Sequence, residues 1–368
     1  MIEFLNLKKV NKPYFKQFEK KAKKIINKGY YILHEEVELF EKKFAKFQDS
    51  KFCVGVGSGF DAIYLTLKAY LYLGKLNYND QILVASNSYI ATILAIHQAN
   101  LKPIIVDIDK TFNINHKKIE NKITKKTKAI LATSLYGQTP NLKKLKKIAK
   151  KYNLLLLEDA AQAHGSKHYK KLSSTYTNCS MYSFYPTKNL GSLGDGGAII
   201  TDDQELYHVV KNLRNYGCED KFNLKYKGNN SRLDEIQAGF LNIKLDYLNK
   251  INQKRKKIAN FYLKNIKNKN IILPTVKKFN DPVWHLFVIR TKQREKLRKY
   301  LLENQIQTAI HYPILFFDQI ALKDEYKNQD IQAKKAKKYL NQILSIPLNE
   351  ALNKKEIRYI VDVLNKFE

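Results

Sequence analysis

Cysteine is scarce in this 368-residue chain, and that scarcity limits the kinds of protein it can be. The three cysteines, Cys53, Cys179 and Cys218, are an odd number and lie far apart in the sequence. They form neither the even framework of a disulfide-rich secreted domain nor the close spacing typical of metal ligands. We therefore expect a reduced, cytoplasmic protein without a metal site.

Long apolar runs are also lacking. The longest, such as the four leucines at 154–157, fall far short of the ~20 apolar residues that a membrane-spanning helix needs. The first residues, MIEFLNLKK, contain a glutamate and no apolar stretch typical of a signal peptide. The sequence thus predicts neither a membrane protein nor an exported one.

Acidic residues and arginine are few beside lysine. The chain has 34 Asp and Glu against 66 Lys and Arg, a formal net charge of +32, and only seven of the basic residues are arginine. Nucleic-acid sites favour arginine, whose planar guanidinium forms paired hydrogen bonds with guanine and phosphate. The lysines are spread over helical segments, as in NLKKLKKIAKKY at 141–152. This pattern indicates solvated helix faces with a general attraction for anions, and it predicts no nucleic-acid partner.

Hydrophobic residues, at 44%, are abundant enough for a large core. Between residues 50 and 200, short β-rich runs alternate with helical patterns, which is typical of a mainly parallel sheet with crossover helices. The predicted strands cover 52–57, 81–86, 103–109, 129–134, 154–159, 181–186 and 198–201. We expect an α/β fold.

A second, smaller domain is expected after a lysine-rich helix that follows Asp234. The predicted division is a large domain at 1–249, which includes an N-terminal helix marked by phenylalanines at helical spacing, and an α+β domain at 250–368. The phenylalanines are Phe40, Phe44 and Phe47. The smaller domain is predicted to contain a strand at 284–289 and helices near 292–304 and 354–367.

A glycine cluster, GVGSGFDA at 55–62, lies between a predicted strand and a predicted helix. Backbone N–H groups and the helix dipole make such a place suitable for phosphate, although many glycine-rich turns bind nothing. Gly57, Gly59 and Ala62 also match a relaxed dinucleotide fingerprint. That fingerprint needs an acid at the end of the next strand, which ends instead at Ser86 and Asn87. A dehydrogenase is therefore disfavoured.

Asp159 ends the most apolar predicted strand, LLLLED. The carboxyl ends of strands form the ligand-binding edge of an open α/β sheet. A carboxylate buried among leucines needs a cationic partner, and a protonated pyridine nitrogen would be one. The alternative is that Asp159 caps the helix that follows.

Lys188 follows the strand at 181–186 and precedes a turn rich in glycine. Since about one residue in six is lysine, an isolated lysine carries little information. Its setting, between an aromatic strand end and the glycine turn, indicates a side chain held in place. Burial would lower the pKa of its amine, as a lysine that forms a Schiff base requires.

Motifs in order along the whole chain resemble the DegT/DnrJ/EryC1/StrS family of sugar aminotransferases. They are GYYILHEEVELFEKKFA, GVGSGFDAIYLTL, SNSYIATILAI, KPIIVDID, SLYGQTPNL, EDAAQAHG, SFYPTKNLGSLGDGGAI, GNNSRLDEIQAGFL, WHLFVIR, IHYP and LSIPLNEAL. The resemblance implies the fold-type I (aspartate aminotransferase-like) architecture and pyridoxal 5′-phosphate as cofactor. The sequence departs from the family at two positions, where His34 replaces the usual glycine and Phe60 replaces a frequent threonine.

The resemblance also implies roles for individual residues. Lys188 would carry the cofactor as a Schiff base, and Asp159 would pair with its ring nitrogen. The other implied cofactor contacts are Gln162 near the phenolic oxygen, Tyr89 stacked on the ring and, around the phosphate, the Ser183 hydroxyl, Ser58, the N–H groups of Gly59 and Phe60, and Asn230 from the other subunit of a homodimer. Without a threonine hydroxyl at position 60, only the backbone of Phe60 can serve.

Substrate contacts are less specified by the sequence. His285, His311 and Tyr312 lie in motifs that line the sugar site in the family, and a structural role remains open for each. His164 is interpreted as a packed residue. Tyr31, in the aromatic segment at 29–33, and Lys221, with Lys225 and Lys227 in the same loop, are candidates to contact a nucleotide-linked sugar and its diphosphate.

The resemblance implies transamination of a nucleotide-linked keto-sugar, with glutamate as the expected amino donor, in the synthesis of sugars for a surface polysaccharide or glycan. Phe60 and the segment 29–33 favour a dTDP-3-keto-6-deoxyhexose as substrate. A 4-aminotransferase is an alternative. A sugar dehydratase of the same fold is another, but its relatives carry histidine where Lys188 stands. A non-enzymatic basic binding protein would leave the ordered motifs unexplained.

Overall fold

A seven-stranded sheet forms the centre of the protein, as seen in a computed structural model that describes residues 1–220, 223–327 and 331–368. Its strands are β1 Phe52–Val56, β2 Gln81–Ala85, β3 Lys102–Val106, β4 Thr127–Thr133, β5 Leu155–Asp159, β8 Cys179–Ser183 and β9 Gly197–Thr201. Short strands β6 Lys167–His168 and β7 Lys171–Leu172 join β10 Asn280–Asp281 in a separate sheet. All seven strands predicted between residues 50 and 201 are present.

The order in the central sheet is β1-β9-β8-β5-β4-β2-β3. The pairs from β8 to β3 are parallel, whereas β9 runs antiparallel to both β1 and β8. The prediction of an α/β fold with a mainly parallel sheet is therefore confirmed. Strand β8 ends three residues earlier than predicted, because the chain turns after Ser183 and the Lys188 N–H donates to the Tyr185 carbonyl at 2.8 Å.

Helices cover the sheet and extend beyond it. They are α1 Leu7–Asn11, α2 Phe15–Lys28, α3 Glu35–Phe47, α4 Gly59–Tyr72, α5 Ile90–Gln98, α6 Leu142–Lys151, α7 Gln204–Leu213, α8 Glu235–Asn265, α9 Arg294–Glu303, α10 Lys323–Tyr326, α11 Lys334–Leu340 and α12 Lys354–Lys366. Among the residues that the structure describes, no helix has the length and apolarity that a membrane crossing requires.

Burial on both faces explains the apolar character of the central strands. Ile130 and Leu131 of β4 and Leu157 of β5 are fully buried, as expected for parallel strands with helices on both sides. The alternation within β5 also places Glu158 and Asp159 on opposite faces of the sheet. Glu158 accepts hydrogen bonds from the Ser134 and Ser180 hydroxyls at 2.5 and 2.8 Å, so its side chain is held within the core.

The C-terminal part has a core of its own. Helices α8, α9 and α12 enclose apolar side chains around the two-stranded sheet of β11 Phe287–Arg290 and β12 Ile343–Ile346. The predicted helix after Asp234 is α8, and it runs unbroken for 31 residues through the predicted boundary at 249/250. The division into two domains thus stays a prediction.

The phenylalanine pattern near the N-terminus forms α3 as predicted. Phe40 and Phe44 are fully buried and pack edge-on against Phe184, just after the end of β8. Glu235 at the start of α8 accepts hydrogen bonds from the N–H groups of His34 and Glu36 at 2.7 and 2.8 Å. Helix α3 is thereby fixed to both the sheet and α8.

Candidate active site

Parallel strands bring the predicted site residues to one edge of the sheet. Strand β5 ends at Asp159, β8 ends at Ser183, and Tyr89 lies four residues after the end of β2. Since β2, β5 and β8 point the same way, their carboxyl ends lie at a common edge, which is where ligands bind in open α/β sheets.

Asp159 is buried and held by two hydrogen bonds. Its side chain is only 5% exposed, and it accepts from the Thr92 hydroxyl at 2.7 Å and from the Ala161 N–H at 3.2 Å. Burial raises the pKa of the carboxyl, and the two hydrogen bonds and the charge of Lys188 offset only part of that effect. A ligand with a cationic N–H group would stabilise the ionised form.

Lys188 lies in the turn after β8 with its side chain partly buried. Burial lowers the pKa of its ammonium group to about 8, while the charge of Asp159 acts in the opposite direction. The neutral amine is the nucleophilic form, and a pKa of about 8 makes that form accessible near neutral pH.

Gly59 brings the start of α4 against the end of β8. A Cβ at this position would lie only 2.5 Å from the Ser183 Cβ, so a larger residue would not fit. The Ser58 hydroxyl caps the helix, accepting from the Asp61 N–H at 3.1 Å and donating to the Asp61 carboxylate at 3.0 Å. The N–H groups of Gly59 and Phe60, at the start of the helix, can bind a phosphate. The Ser183 hydroxyl accepts from the Tyr185 N–H at 3.3 Å and can still donate its own proton to a phosphate.

These features match pyridoxal phosphate group by group. Asp159, with its raised pKa, suits the protonated ring nitrogen, and Lys188, with its lowered pKa, suits the aldehyde. The helix start beside Ser183 suits the phosphate, whose charge the helix dipole stabilises. The residues present thus fit this cofactor.

Aromatic and amide side chains form a cluster near Asp159. The Tyr89 and Tyr312 rings lie 4.8 Å apart, and the Tyr312 hydroxyl accepts a hydrogen bond from the Gln162 amide at 3.1 Å. The side-chain oxygen of Gln162 accepts a hydrogen bond from the backbone N–H of Tyr136 at 2.7 Å. Because Tyr89 is 46% exposed, its ring can contact a ligand on one side.

The three histidines near Lys188 are neutral at physiological pH. Burial lowers the pKa of His311 to about 4 and that of His164 to about 3, and it lowers the pKa of His285 well below its usual value. The charge of Lys188 adds to the effect at each. The Nδ1 atom of His285 lies 3.2 Å from the Asn189 side-chain oxygen. His164 is fully buried, as expected for a packed residue.

A cavity of about 350 Å³ adjoins Lys188 through Thr187 and has both His285 and His311 in its wall. Arg255 also lines it, but its guanidinium pairs with Glu350 at 2.9 Å. The charge of Arg255 is thus paired, and the two histidines in the cavity wall are neutral. Neutral groups that form hydrogen bonds suit an uncharged sugar ring.

Some predicted residues lie outside this cluster. Tyr31 is 53% exposed, and its hydroxyl donates to the Ile26 carbonyl at 3.3 Å. Asn230 is exposed, and its backbone pairs with Asn215 in an isolated bridge. The Phe60 ring lies 6.5 Å from the Tyr64 ring on α4.

The lysines of the loop at 218–228 differ in their surroundings. Lys221 lies outside the described residues. The Lys225 ammonium pairs with Glu219 at 2.7 Å, so part of its charge is already neutralised. Lys227 is exposed.

Three residues of the site were missed by sequence reasoning. Thr92 positions Asp159, Tyr136 contacts Gln162, and Asn189 contacts His285. Thr92 and Tyr136 lie inside motifs that carry the family resemblance, which was the available signal. Asn189 also lies inside such a motif, SFYPTKNLGSLGDGGAI, but neither motif indicates its pairing with His285, 96 residues later.

The fold and the site define a pyridoxal phosphate-dependent enzyme of the aminotransferase class. A profile of the DegT/DnrJ/EryC1/StrS aminotransferase family matches residues 14–365. The chain therefore belongs to this family.

Individual relatives match along the whole chain. The chain is 44% identical to a dTDP-3-amino-3,6-dideoxy-alpha-D-galactopyranose transaminase of Aneurinibacillus thermoaerophilus, over 100% of this chain and 99% of that protein. It is 34% identical to a dTDP-3-amino-3,4,6-trideoxy-alpha-D-glucose transaminase of Streptomyces venezuelae, over 100% and 96%. Its structure matches that of S. venezuelae DesV in complex with a ketimine intermediate, with a TM-score of 0.95, 34% identity and coverage of 99% and 98%.

Proposed function

We propose that this enzyme transfers the amino group of glutamate to C3 of a dTDP-linked 3-keto-6-deoxyhexose, in deoxysugar synthesis for a surface polysaccharide or glycan, in the cytoplasm. The observation that carries the proposal is the placement of Lys188 and Asp159 at one sheet edge, where burial shifts their pKa values in opposite directions. Two relatives named as dTDP-3-amino-sugar transaminases support the position and the nucleotide.

The residues divide the work of transamination between them. Pyridoxal phosphate, when bound, supplies a protonated ring that takes up electrons as a C–H bond of the substrate breaks. Asp159 would hold a proton on the ring nitrogen by hydrogen bond and charge. Lys188, once its amine is free, would move a proton away from the substrate carbon as base and return one as acid.

Other side chains would orient the cofactor and the sugar. Gln162 and Tyr89 lie near Asp159 and would fix the ring plane. His285 and His311, both neutral, can donate and accept hydrogen bonds with sugar hydroxyls in the adjoining cavity. Tyr312 would contact the substrate beside the ring.

The position of amination can be tested directly. When the enzyme is offered dTDP-3-keto- and dTDP-4-keto-6-deoxyhexose with glutamate, we expect kcat/KM at least ~tenfold higher for the 3-keto isomer, because the site would align one ring carbon with the cofactor. NMR of the product would locate the new C–N bond. Omission of glutamate is the control. A product aminated only at C4 would overturn the C3 proposal and leave the aminotransferase assignment unchanged.

The proposal includes a homodimer with shared sites. Exposed apolar and aromatic side chains lie close to the start of α8: Ile32 pairs with Asp234 in a bridge, and Leu193 donates its N–H to Gln237 at 2.9 Å. The Ser231 hydroxyl accepts from the Gly57 N–H at 3.0 Å, at the edge of the glycine loop. In the proposed homodimer, a second copy docks on this face, and the Asn230 of each chain lies near the glycine loop of the other chain.

Mixing two inactive chains tests the shared site. Lys188→Ala and Asn230→Ala homodimers carry one lesion in each site, whereas a hybrid has one intact site if Asn230 serves the partner. At a cofactor concentration that leaves the Asn230→Ala homodimer mostly empty, random exchange should restore about one quarter of wild-type activity. If Asn230 serves its own chain, every hybrid site keeps a lesion and no activity returns. A fully active monomer by light scattering would also refute the dimer.

A further inference from the structure

The loop that carries Lys188 is closed on itself. The Ser192 N–H donates to the Phe184 carbonyl at 2.8 Å, and the Ser192 hydroxyl lies within hydrogen-bond distance of the Phe184 and Gly194 carbonyls, at 2.8 and 2.5 Å. Gly191 packs so closely on Pro186 that a Cβ would lie 2.4 Å from the Pro186 carbonyl oxygen. A displacement at Gly191 would therefore be transmitted to Lys188 through the closed loop.

Lys244 of α8 holds this loop from the side away from solvent. It is only 2% exposed, and its ammonium donates to the Gly191 carbonyl at 2.6 Å and to the Asn11 side-chain oxygen at 3.2 Å. Both partners are neutral acceptors. Burial lowers the pKa of Lys244 to about 8, which indicates that keeping an ammonium group here costs free energy.

A second anchor lies two turns further along the same helix. Asn252 donates to the His164 carbonyl at 2.8 Å and accepts from the Asn189 amide at 2.9 Å. Asn189 is next to Lys188 in the chain and also contacts His285. Residues 244 and 252 are eight apart, so their side chains lie about 80° apart around the helix, within one broad face. Helix α8 thus contacts the loop at two points just after Lys188, namely Asn189 and Gly191.

We propose that Lys244 is a positioning residue, which fixes the 184–192 loop against α8 and the N-terminal segment so that Lys188 meets the cofactor in one orientation. This inference rests on the proposed role of Lys188. A buried ammonium group bound to neutral acceptors is a poor source of stability, because an apolar side chain of similar size avoids the desolvation cost. A role in holding the loop explains its presence better than core packing does.

Release of the cofactor tests this proposal without an activity assay. Lys244→Met keeps the length of the side chain and removes the donor, so we expect the visible absorption band of the lysine-bound cofactor to be lost about tenfold faster when free cofactor is trapped. The cofactor-free variant should unfold close to the wild-type temperature, because the desolvation cost avoided at Lys244 offsets the loss of its hydrogen bonds to Gly191 and Asn11. Lys257→Met, at an exposed lysine of α8, is the matched control and should release cofactor at the wild-type rate.

Two results would overturn the proposal. One is a wild-type rate of release from folded Lys244→Met. If that variant does not fold, Asn11→Leu takes its place, since it leaves Lys244 with Gly191 alone, and it should release cofactor about threefold faster; an unchanged rate again refutes the proposal. If the proposed role of Lys188 is itself wrong, the result is different: the absorption band of the bound cofactor would persist in Lys188→Ala.

Discussion

Lys188→Ala should fold, show no absorption band of a lysine-bound cofactor, and lose transamination by about 1,000-fold or more. The physical reason is that the substitution removes both the amine that attaches the cofactor and the base that moves the proton. The measurements are visible absorption, borohydride reduction followed by mass spectrometry, and turnover with the keto-sugar and glutamate.

The control is a lysine far from the site. Lys257→Ala, at an exposed position of α8, should keep both the band and the rate. Circular dichroism of both variants separates a loss of chemistry from a loss of fold. Normal transamination by purified Lys188→Ala would mean that another lysine carries the cofactor.

Asp159→Asn should still bind the cofactor but lose about 100- to 1,000-fold in rate. The amide preserves the shape and can retain the hydrogen bond with Thr92, yet it carries no charge to keep the ring nitrogen protonated. A shift in the absorption spectrum of the bound cofactor should accompany the loss of rate. Single-turnover kinetics of each half-reaction would measure the effect on the chemical steps.

Glu158→Gln provides a matched control on the same strand. Glu158 is also a buried carboxyl with a raised pKa, but it lies on the opposite face, bound to Ser134 and Ser180. Its replacement should leave the rate of the folded enzyme close to wild type. Equal losses in the two variants, or a near-normal rate in Asp159→Asn, would contradict the role assigned to Asp159.

Local sequence was sufficient to predict the central sheet. Strands such as 154–159 and 129–134 are apolar on both faces, so their burial does not depend on the details of packing. The turns were harder to place. The end of β8 was predicted at Pro186 but lies at Ser183, because the chain turns there and the Lys188 N–H donates to the Tyr185 carbonyl. Close backbone contact of this kind has no periodic signal in the sequence.

The smaller domain shows a second limit of local patterns. The sequence predicts a long lysine-rich helix after Asp234 that leads into a second domain near residue 250. The helix continues to Asn265, past the predicted boundary, and its buried side chains belong both to the core around α3 and to the C-terminal core, so the division itself stays a prediction. Helical periodicity reports which face is buried, but it does not report which domain provides the partner.

By itself the sequence determined the α/β class and predicted the sheet edge of the candidate site and the choice of Lys188 and Asp159, because these depend on strand order and on motifs that are contiguous in the chain. Only the tertiary structure decided the surroundings that shift the pKa values of these two residues. Burial in the folded chain lowers the pKa of Lys188. The hydrogen bonds of Thr92 with Asp159 and of Lys244 with Gly191 likewise join residues that are far apart in sequence. Burial and long-range hydrogen bonds set these properties, and both arise only when distant segments pack together.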